Sequence, residues 1–259
     1  VQAIPPDANR VFALEGYLFP DTYDFDLNAD EERILRMMLD NTSRKLDDEL
    51  LERANELGFT LDQVITLASV IEKESSVIPE MYEVSRVFHN RLYQNMPLQS
   101  CATINFLRAL DDLPPVLIVK NNDLRRISPY NTYLYDGLPA GPICSPGLEA
   151  IRAALYPDIE RTDLLYFAAK GDGTNVFAST YEEHVWNIEH YVKPIENEMY
   201  LERGETPPSP EEDVIIEAGY RFDPENLPKP RELDDHSEAE EANTETEDNS
   251  QPTEVPLAP

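Results

Sequence analysis

The sequence predicts an α+β domain in which a helical layer carrying a functional carboxylate packs with a small antiparallel sheet. Apolar residues recur at helical spacing through most of the first two-thirds of the chain, and one late stretch, LLYFAAKGDGTNVFAST, reads as two β-rich runs about a Gly-Asp-Gly turn. A third observation limits the fold. From Glu205 to Pro259 the chain holds seventeen Asp or Glu, three Lys or Arg and nine Pro, with very few large apolar residues. Such a stretch buries too little to offset the entropy of ordering it, so it is expected to be disordered. Residues 1–13 read as a linker, 14–204 as one folded domain and 205–259 as an acidic, Pro-rich tail.

EGYLFPDTYDF, residues 15–25, is aromatic and punctuated by Pro20, and is expected to pack as an extended wall in which Glu15 either meets a ligand or lines the fold. After Asn28, the positions Ile34, Leu35, Met38, Leu46, Leu50, Leu51, Ala54 and Leu57 give scaffold helices that end at Gly58, a suitable C-cap. Next, Leu61, Val64, Ile65, Leu67, Ala68, Val70 and Ile71 form one broad apolar helix face behind Thr60, an N-cap.

Glu72 and Glu74 close that helix. At about 100 degrees per residue they flank opposite edges of the apolar stripe. A carboxyl held against apolar groups has its pKa raised, which suits a proton donor near neutral pH. Periodicity does not choose between the two, and for either the plainer reading is a helix-end glutamate facing water.

The chain breaks near Pro79 into a helix with Val84, Val87, Phe88 and Leu92 inward and His89, Asn90 and Arg91 at its end. His89 is expected to be structural. The four histidines show no metal-ligand spacing, so neither metal nor cofactor is expected. MPLQSCAT bends at Pro97 and leads into a short helix around Ile104 to Leu110; Gln99, Ser100 and Thr103 offer neutral groups that suit sugar hydroxyls, or equally caps and turns. Ser128 to Gly147 holds four prolines, three glycines and three tyrosines, the mark of a long ordered loop. Ser145 and Pro146 then open a helix burying Ile151, Ala154 and Leu155. Thr180 with Glu183 forms a capping box for a last helix bearing Val185, Ile188 and Val192, with His184 peripheral on its first turns.

The net charge is −30, of which fourteen units belong to the tail and sixteen to the rest, so the folded part is itself acidic. A nucleic-acid partner is excluded on this ground, since binding one requires a basic footprint. No run approaches the ~20 apolar residues that cross a bilayer. VQAIPPDANRV reads as a linker and the chain as a fragment.

The blocks EGYLFPDTYDF, EKE, FHNRL, MPLQSCAT, SPYNTY and GLPAGPICSPG, in this order between Leu14 and Val192, resemble the YceG-like, or MltG, family of endolytic murein transglycosylases. The resemblance implies that residues 14–204 are a catalytic domain with Glu74, not Glu72, as acid and then base, and Glu72 in positioning or structure. It implies substrate contacts from Tyr130, Asn131, Thr132, Tyr133, Gly137 and Leu138, with Gln99, Ser100, Thr103, Glu72 and Glu15. The implied reaction cuts the bond between N-acetylmuramic acid and N-acetylglucosamine within nascent peptidoglycan strands and leaves 1,6-anhydro ends. The implied partners are glycan strands and cell-wall synthases. The implied location is the extracytoplasmic face of the bacterial membrane, held by an N-terminal anchor and a LysM-like domain that this sequence does not include. A hydrolytic muramidase of similar shape and a non-catalytic scaffold of the synthesis machinery are the alternatives. This sequence has SCAT where other members have SDPT, so a role for that Asp does not carry over to Cys101, whereas Thr103 matches. Cys101 and Cys144 each lie inside a block. Either they are two separate thiols or, if the blocks converge on one cleft, they pair across a loop of about forty residues, a bond worth roughly 4 kcal/mol.

Overall fold

The computed structural model describes residues 9–116, 118–119 and 121–207; the tail from residue 208 and the first eight residues of the linker lie outside them. The elements run α1 (Glu31–Lys45), α2 (Asp48–Glu56), α3 (Leu61–Glu74), α4 (Ile78–Tyr93), α5 (Cys101–Leu110), α6 (Asn121–Leu124), α7 (Leu148–Leu155), β1 (Tyr166–Ala169), β2 (Asn175–Ala178), α8 (Tyr181–Asn187), a π-helical turn (Ile188–Val192) and α9 (Lys193–Glu202). The α+β expectation holds, with the two strands forming one antiparallel hairpin in the register Tyr166↔Ala178 to Ala169↔Asn175. Among the described residues no helix is long and apolar enough to cross a membrane.

Helix α3 is the axis of the core. Thr60 caps it as expected: its Oγ1 accepts from the Gln63 N–H at 3.2 Å while Gln63 Oε1 accepts from the Thr60 N–H at 2.9 Å. The expectation of burial along one side is corrected, because every residue from Val64 to Ile71 is buried. Helices α2, α4, α5 and α7 all pack against it, with α7 making the most extensive contact. Ser69, enclosed by this packing, is satisfied internally. Ser69 Oγ donates to the Thr66 carbonyl at 2.7 Å and accepts from the Ile143 N–H at 3.0 Å. Ala150, Ala153 and Ala154 are buried on α7, and small side chains there allow a close approach.

Residues 13–17 form turns rather than the expected extended wall, although Tyr17 and Phe19 are buried. Gly16 sits at φ +86°, and a Cβ on it would lie 2.5 Å from Pro142 Cγ and 2.7 Å from Ile65 Cγ2. The segment therefore presses against α3 only because residue 16 lacks a side chain. Helix α7 begins at Leu148 behind an N-cap Gly147, two residues later than Ser145 and Pro146 suggested. Gly147 has no side chain to cap with, and the carboxylate of Glu72 takes its N–H instead, at 3.2 Å.

The Thr180–Glu183 capping box forms, yet the last helix is not continuous: it widens into the π turn before α9. His184 is buried, not peripheral. Its ring stacks on Tyr166 with centroids 5.0 Å apart, and burial lowers its pKa to about 4, so the ring is neutral at physiological pH.

Candidate active site

The C-terminal end of α3 meets the N-terminal end of α5. Glu74 is the last residue of α3, and Ser75 leaves the helix in extended conformation. Ser100 is the N-cap of α5 but makes no side-chain cap of its own; its hydroxyl donates to Glu74 Oε1 instead. The Ala102 N–H donates to the same oxygen at 3.2 Å. Glu74 thus does for α5 what an N-cap side chain would do, taking an N–H that the helix leaves unpaired. Its other oxygen, Oε2, accepts no hydrogen bond among the described residues. With both donors on Oε1, a proton on this carboxyl belongs on Oε2.

The Glu74 side chain is half-buried, and burial raises its pKa above the ordinary 4.5 although the Ser100 and Ala102 donors pull the other way. The folded state therefore holds this proton to higher pH than the unfolded chain does. The stability Glu74 contributes is complete below its unfolded pKa and is lost as pH rises through the higher folded one. Glu74→Gln keeps an acceptor for both donors and carries no buried charge. Its melting temperature should therefore exceed that of the wild type by a margin that widens from about pH 4.5 toward neutrality, as thermal melts across that range would read.

The loop from Ser128 to Gly147 supports α5 from behind. Thr132 Oγ1 accepts from the Ser100 N–H at 3.0 Å and lies 2.9 Å from Thr103 Oγ1, and Thr103 donates to the Ser100 carbonyl at 2.8 Å. The Gln99 N–H donates to the Thr132 carbonyl at 3.0 Å, and Gln99 sits at φ +50°, a strained conformation just ahead of the cap. Tyr133 faces the site, its hydroxyl 3.1 Å from the Cys101 thiol; burial first, then Cys101 and Glu74, raise the phenol's pKa well above its ordinary value.

Several of the expected ligand contacts are engaged within the fold. Tyr130 is 1% exposed, packs at a tilt against Phe106 and accepts from the Val11 N–H. Asn131 is fully buried: its amide donates to the Leu124 and Arg126 carbonyls at 2.9 and 2.8 Å and its oxygen accepts from the Tyr133 N–H at 3.0 Å. Thr132 and Thr103 are likewise buried and spend their hydroxyls on the loop, and the Gln99 side-chain oxygen is held by Arg91. Glu72 caps α7. Gly137 supplies a left-handed turn at φ +86°, and Leu138 packs half-buried against the core. Glu15 is half-buried and lies near enough to Cys144, with Glu72, to raise its thiol pKa. Ser100 and Tyr133 therefore remain as the expected contacts that border Glu74.

The Cys101–Cys144 bond does not form. Cys101 is engaged by Tyr133, whereas the Cys144 thiol donates to the Ser69 carbonyl at 3.3 Å. Burial pushes both thiols up to about 12, so both are protonated at neutral pH.

Three further residues support the site. Asn175, the first residue of β2, donates through its side chain to the Glu74 carbonyl at 3.4 Å and to Glu80 Oε2 at 3.1 Å, and its N–H reaches the same Glu80 oxygen at 3.0 Å. Glu80 and Asn175 thus clasp the hairpin to the end of α3. Arg91 is the third, and its position i+3, i+4 and i+7 from Phe88, Val87 and Val84 on the apolar stripe was the available signal.

A half-buried carboxyl at a helix end, with one oxygen fixed by two donors and no hydrogen bond to the other among the described residues, has the layout of a general acid and base. The chain belongs to the YceG-like family, whose model matches residues 3–190. Among relatives, an endolytic murein transglycosylase of Bacillus subtilis is 39% identical over 180 residues, covering 69% of this chain and 48% of the relative. One of Streptococcus pneumoniae is 32% identical over 192 residues, covering 72% of this chain and 34% of the relative. The chain thus spans less than half of either. The crystal structure of a YceG-like protein from Listeria monocytogenes superposes with a TM-score of 0.62 at 33% identity, over 70% of this chain and 56% of that one.

Proposed function

We propose that this domain is an endolytic lytic transglycosylase that cuts peptidoglycan glycan strands with Glu74 as its single acid and base. The protonated Oε2 donates to the glycosidic oxygen between N-acetylmuramic acid and N-acetylglucosamine as the bond to C1 breaks. The resulting carboxylate takes the proton of the muramic acid's own C6 hydroxyl as that oxygen bonds to C1, giving a 1,6-anhydro end. No water is consumed and Glu74 returns to its protonated state. Because the nucleophile belongs to the substrate, its effective concentration is high. The observation that carries this reading is the pair of donors on Oε1, which steadies the carboxylate between its two proton transfers and leaves Oε2 to make them. The same reading places the enzyme at the extracytoplasmic face of the membrane, acting on strands newly made by cell-wall synthases.

The test is the mass of the product. Incubated with uncrosslinked glycan strands, the protein should release internal fragments with anhydro ends. Fragments heavier by one water, with reducing ends, would make it a muramidase; intact strands would make it a non-catalytic scaffold.

A further inference from the structure

Beyond Glu74, the strongest unassigned feature is a groove of ≈ 680 Å³ where the far end of β2 meets α8. Its lining includes Trp186, Phe177, Asn187, Arg161, Asp163 and Ser179. Trp186 is the only tryptophan in the chain and is 53% exposed. Two neighbouring rings brace this indole. His190 stacks on it at 3.8 Å between centroids and donates from Nδ1 to the Trp186 carbonyl at 2.8 Å, and Tyr191 meets it edge-on at 6.1 Å. The π turn makes this possible, because its wider spiral brings both i+4 and i+5 alongside residue i. One face of the indole is thereby covered while the ring remains half exposed.

The groove floor is fixed too. Glu183 accepts from the Ser179 and Thr180 N–H groups at 3.0 and 3.3 Å, and Asp163 holds the Ser179 hydroxyl. The groove is tied to the site already described through a single strand. Asn175 at one end of β2 bonds the Glu74 carbonyl, and Ala178 at the other lines the groove, about 10 Å away at ~3.3 Å per residue.

We infer that this groove is a distal binding subsite for the pyranose strand whose bond Glu74 cuts, with Trp186 lying against an apolar sugar face and the polar rim addressing hydroxyl or acetamido groups. The inference rests on the function proposed above. An aromatic platform beside hydroxyl, amide and charged hydrogen-bonding groups suits the apolar faces and hydroxyl-rich edges of pyranose rings. The acidic rim disfavours the alternative in which Trp186 anchors the domain to an anionic lipid surface, since Glu182 and Glu183 lie beside the indole on the same helix.

The lone tryptophan is its own reporter. In the Glu74→Gln protein, soluble uncrosslinked glycan strands of graded length should shift and protect Trp186 emission saturably, and longer strands should do so at lower concentration. In the cleaving enzyme, Trp186→Ala should raise KM by roughly tenfold on long strands, as expected for loss of one aromatic anchor; the penalty should grow with strand length, and Trp186→Phe should recover most of it. Emission unmoved by strands, with KM unchanged in Trp186→Ala, overturns the subsite while leaving the function standing. A wild type that cleaves no strands overturns the function, and the emission titration still decides the groove. An emission shift with phosphatidylglycerol vesicles but not with strands assigns the groove to lipid and overturns the inference.

Discussion

Replacing Glu74 by glutamine should abolish strand cleavage while leaving the fold intact. The amide oxygen still accepts from Ser100 and the Ala102 N–H, so the cap of α5 survives, but the group that replaces Oε2 can neither give up a proton to a glycosidic oxygen nor take one from a hydroxyl. General acid–base catalysis contributes roughly 10²–10⁴-fold. Here one side chain performs both transfers, so the loss in kcat should lie at or beyond the upper end of that range. Cleavage of uncrosslinked strands followed by mass spectrometry reads it, and circular dichroism with thermal melting shows that the protein is still folded. Retention of more than a tenth of the wild-type rate would remove Glu74 from the chemistry. Glu72→Gln, by contrast, should leave cleavage near the wild-type rate, because that side chain is occupied in capping α7 and its amide oxygen can still accept the Gly147 N–H.

Arg91→Met should be the most damaging single change outside the core helix, costing about 3–5 kcal/mol of stability and roughly 10 °C in melting temperature. Arg91 is buried on α4 with its Nε donating to the Leu165 carbonyl at 2.7 Å and its Nη1 to the Pro97 and Leu98 carbonyls, both at 3.1 Å, and to Gln99 Oε1 at 3.2 Å. The guanidinium also lies 5.1 Å from the centre of the Tyr166 ring. Among the described residues it forms no ion pair with a carboxylate, so carbonyl dipoles and the ring compensate its charge. Methionine fills the space but leaves three main-chain carbonyls without this donor, each worth about 1–3 kcal/mol if left unpaired in the interior. Lysine restores the charge but not the forked reach, and should recover only part of the loss. Because the Pro97–Gln99 turn runs directly into Ser100, the variant should also lose cleavage activity at temperatures where it remains folded. Urea unfolding and strand cleavage measured side by side test both; a loss under 1 kcal/mol would show that water replaces the guanidinium.

Legibility in the sequence followed the range of the interactions. The caps at Thr60 and Thr180, the left-handed Gly58 and the hairpin about Gly171 and Gly173 were readable, because each satisfies its hydrogen bonds or its backbone angle within a few residues. The helix behind Gly147 starts two residues later than Ser145 and Pro146 imply for the opposite reason, its cap coming from Glu72, 75 positions away. The resemblance implies ligand contacts from Tyr130 and Asn131, and in the fold both also hydrogen-bond the backbone, since residue type alone does not reveal where a hydrogen bond goes. The resemblance carried by separated blocks supplied the family, which periodicity had no means of giving.

What the sequence determined by itself is therefore the set of elements, the acidic character of the chain, and a pair of glutamates at the end of its most apolar helix. The tertiary structure alone decided how those two differ. On an isolated α3 they are near-equivalent carboxylates two residues apart. In the fold, the start of α7 claims Glu72, whereas α5, arriving from 26 and 28 positions further on, encloses Glu74 and fixes one of its oxygens. Burial and donor geometry are properties of what packs against a side chain, and those neighbours come from parts of the chain that no local period connects.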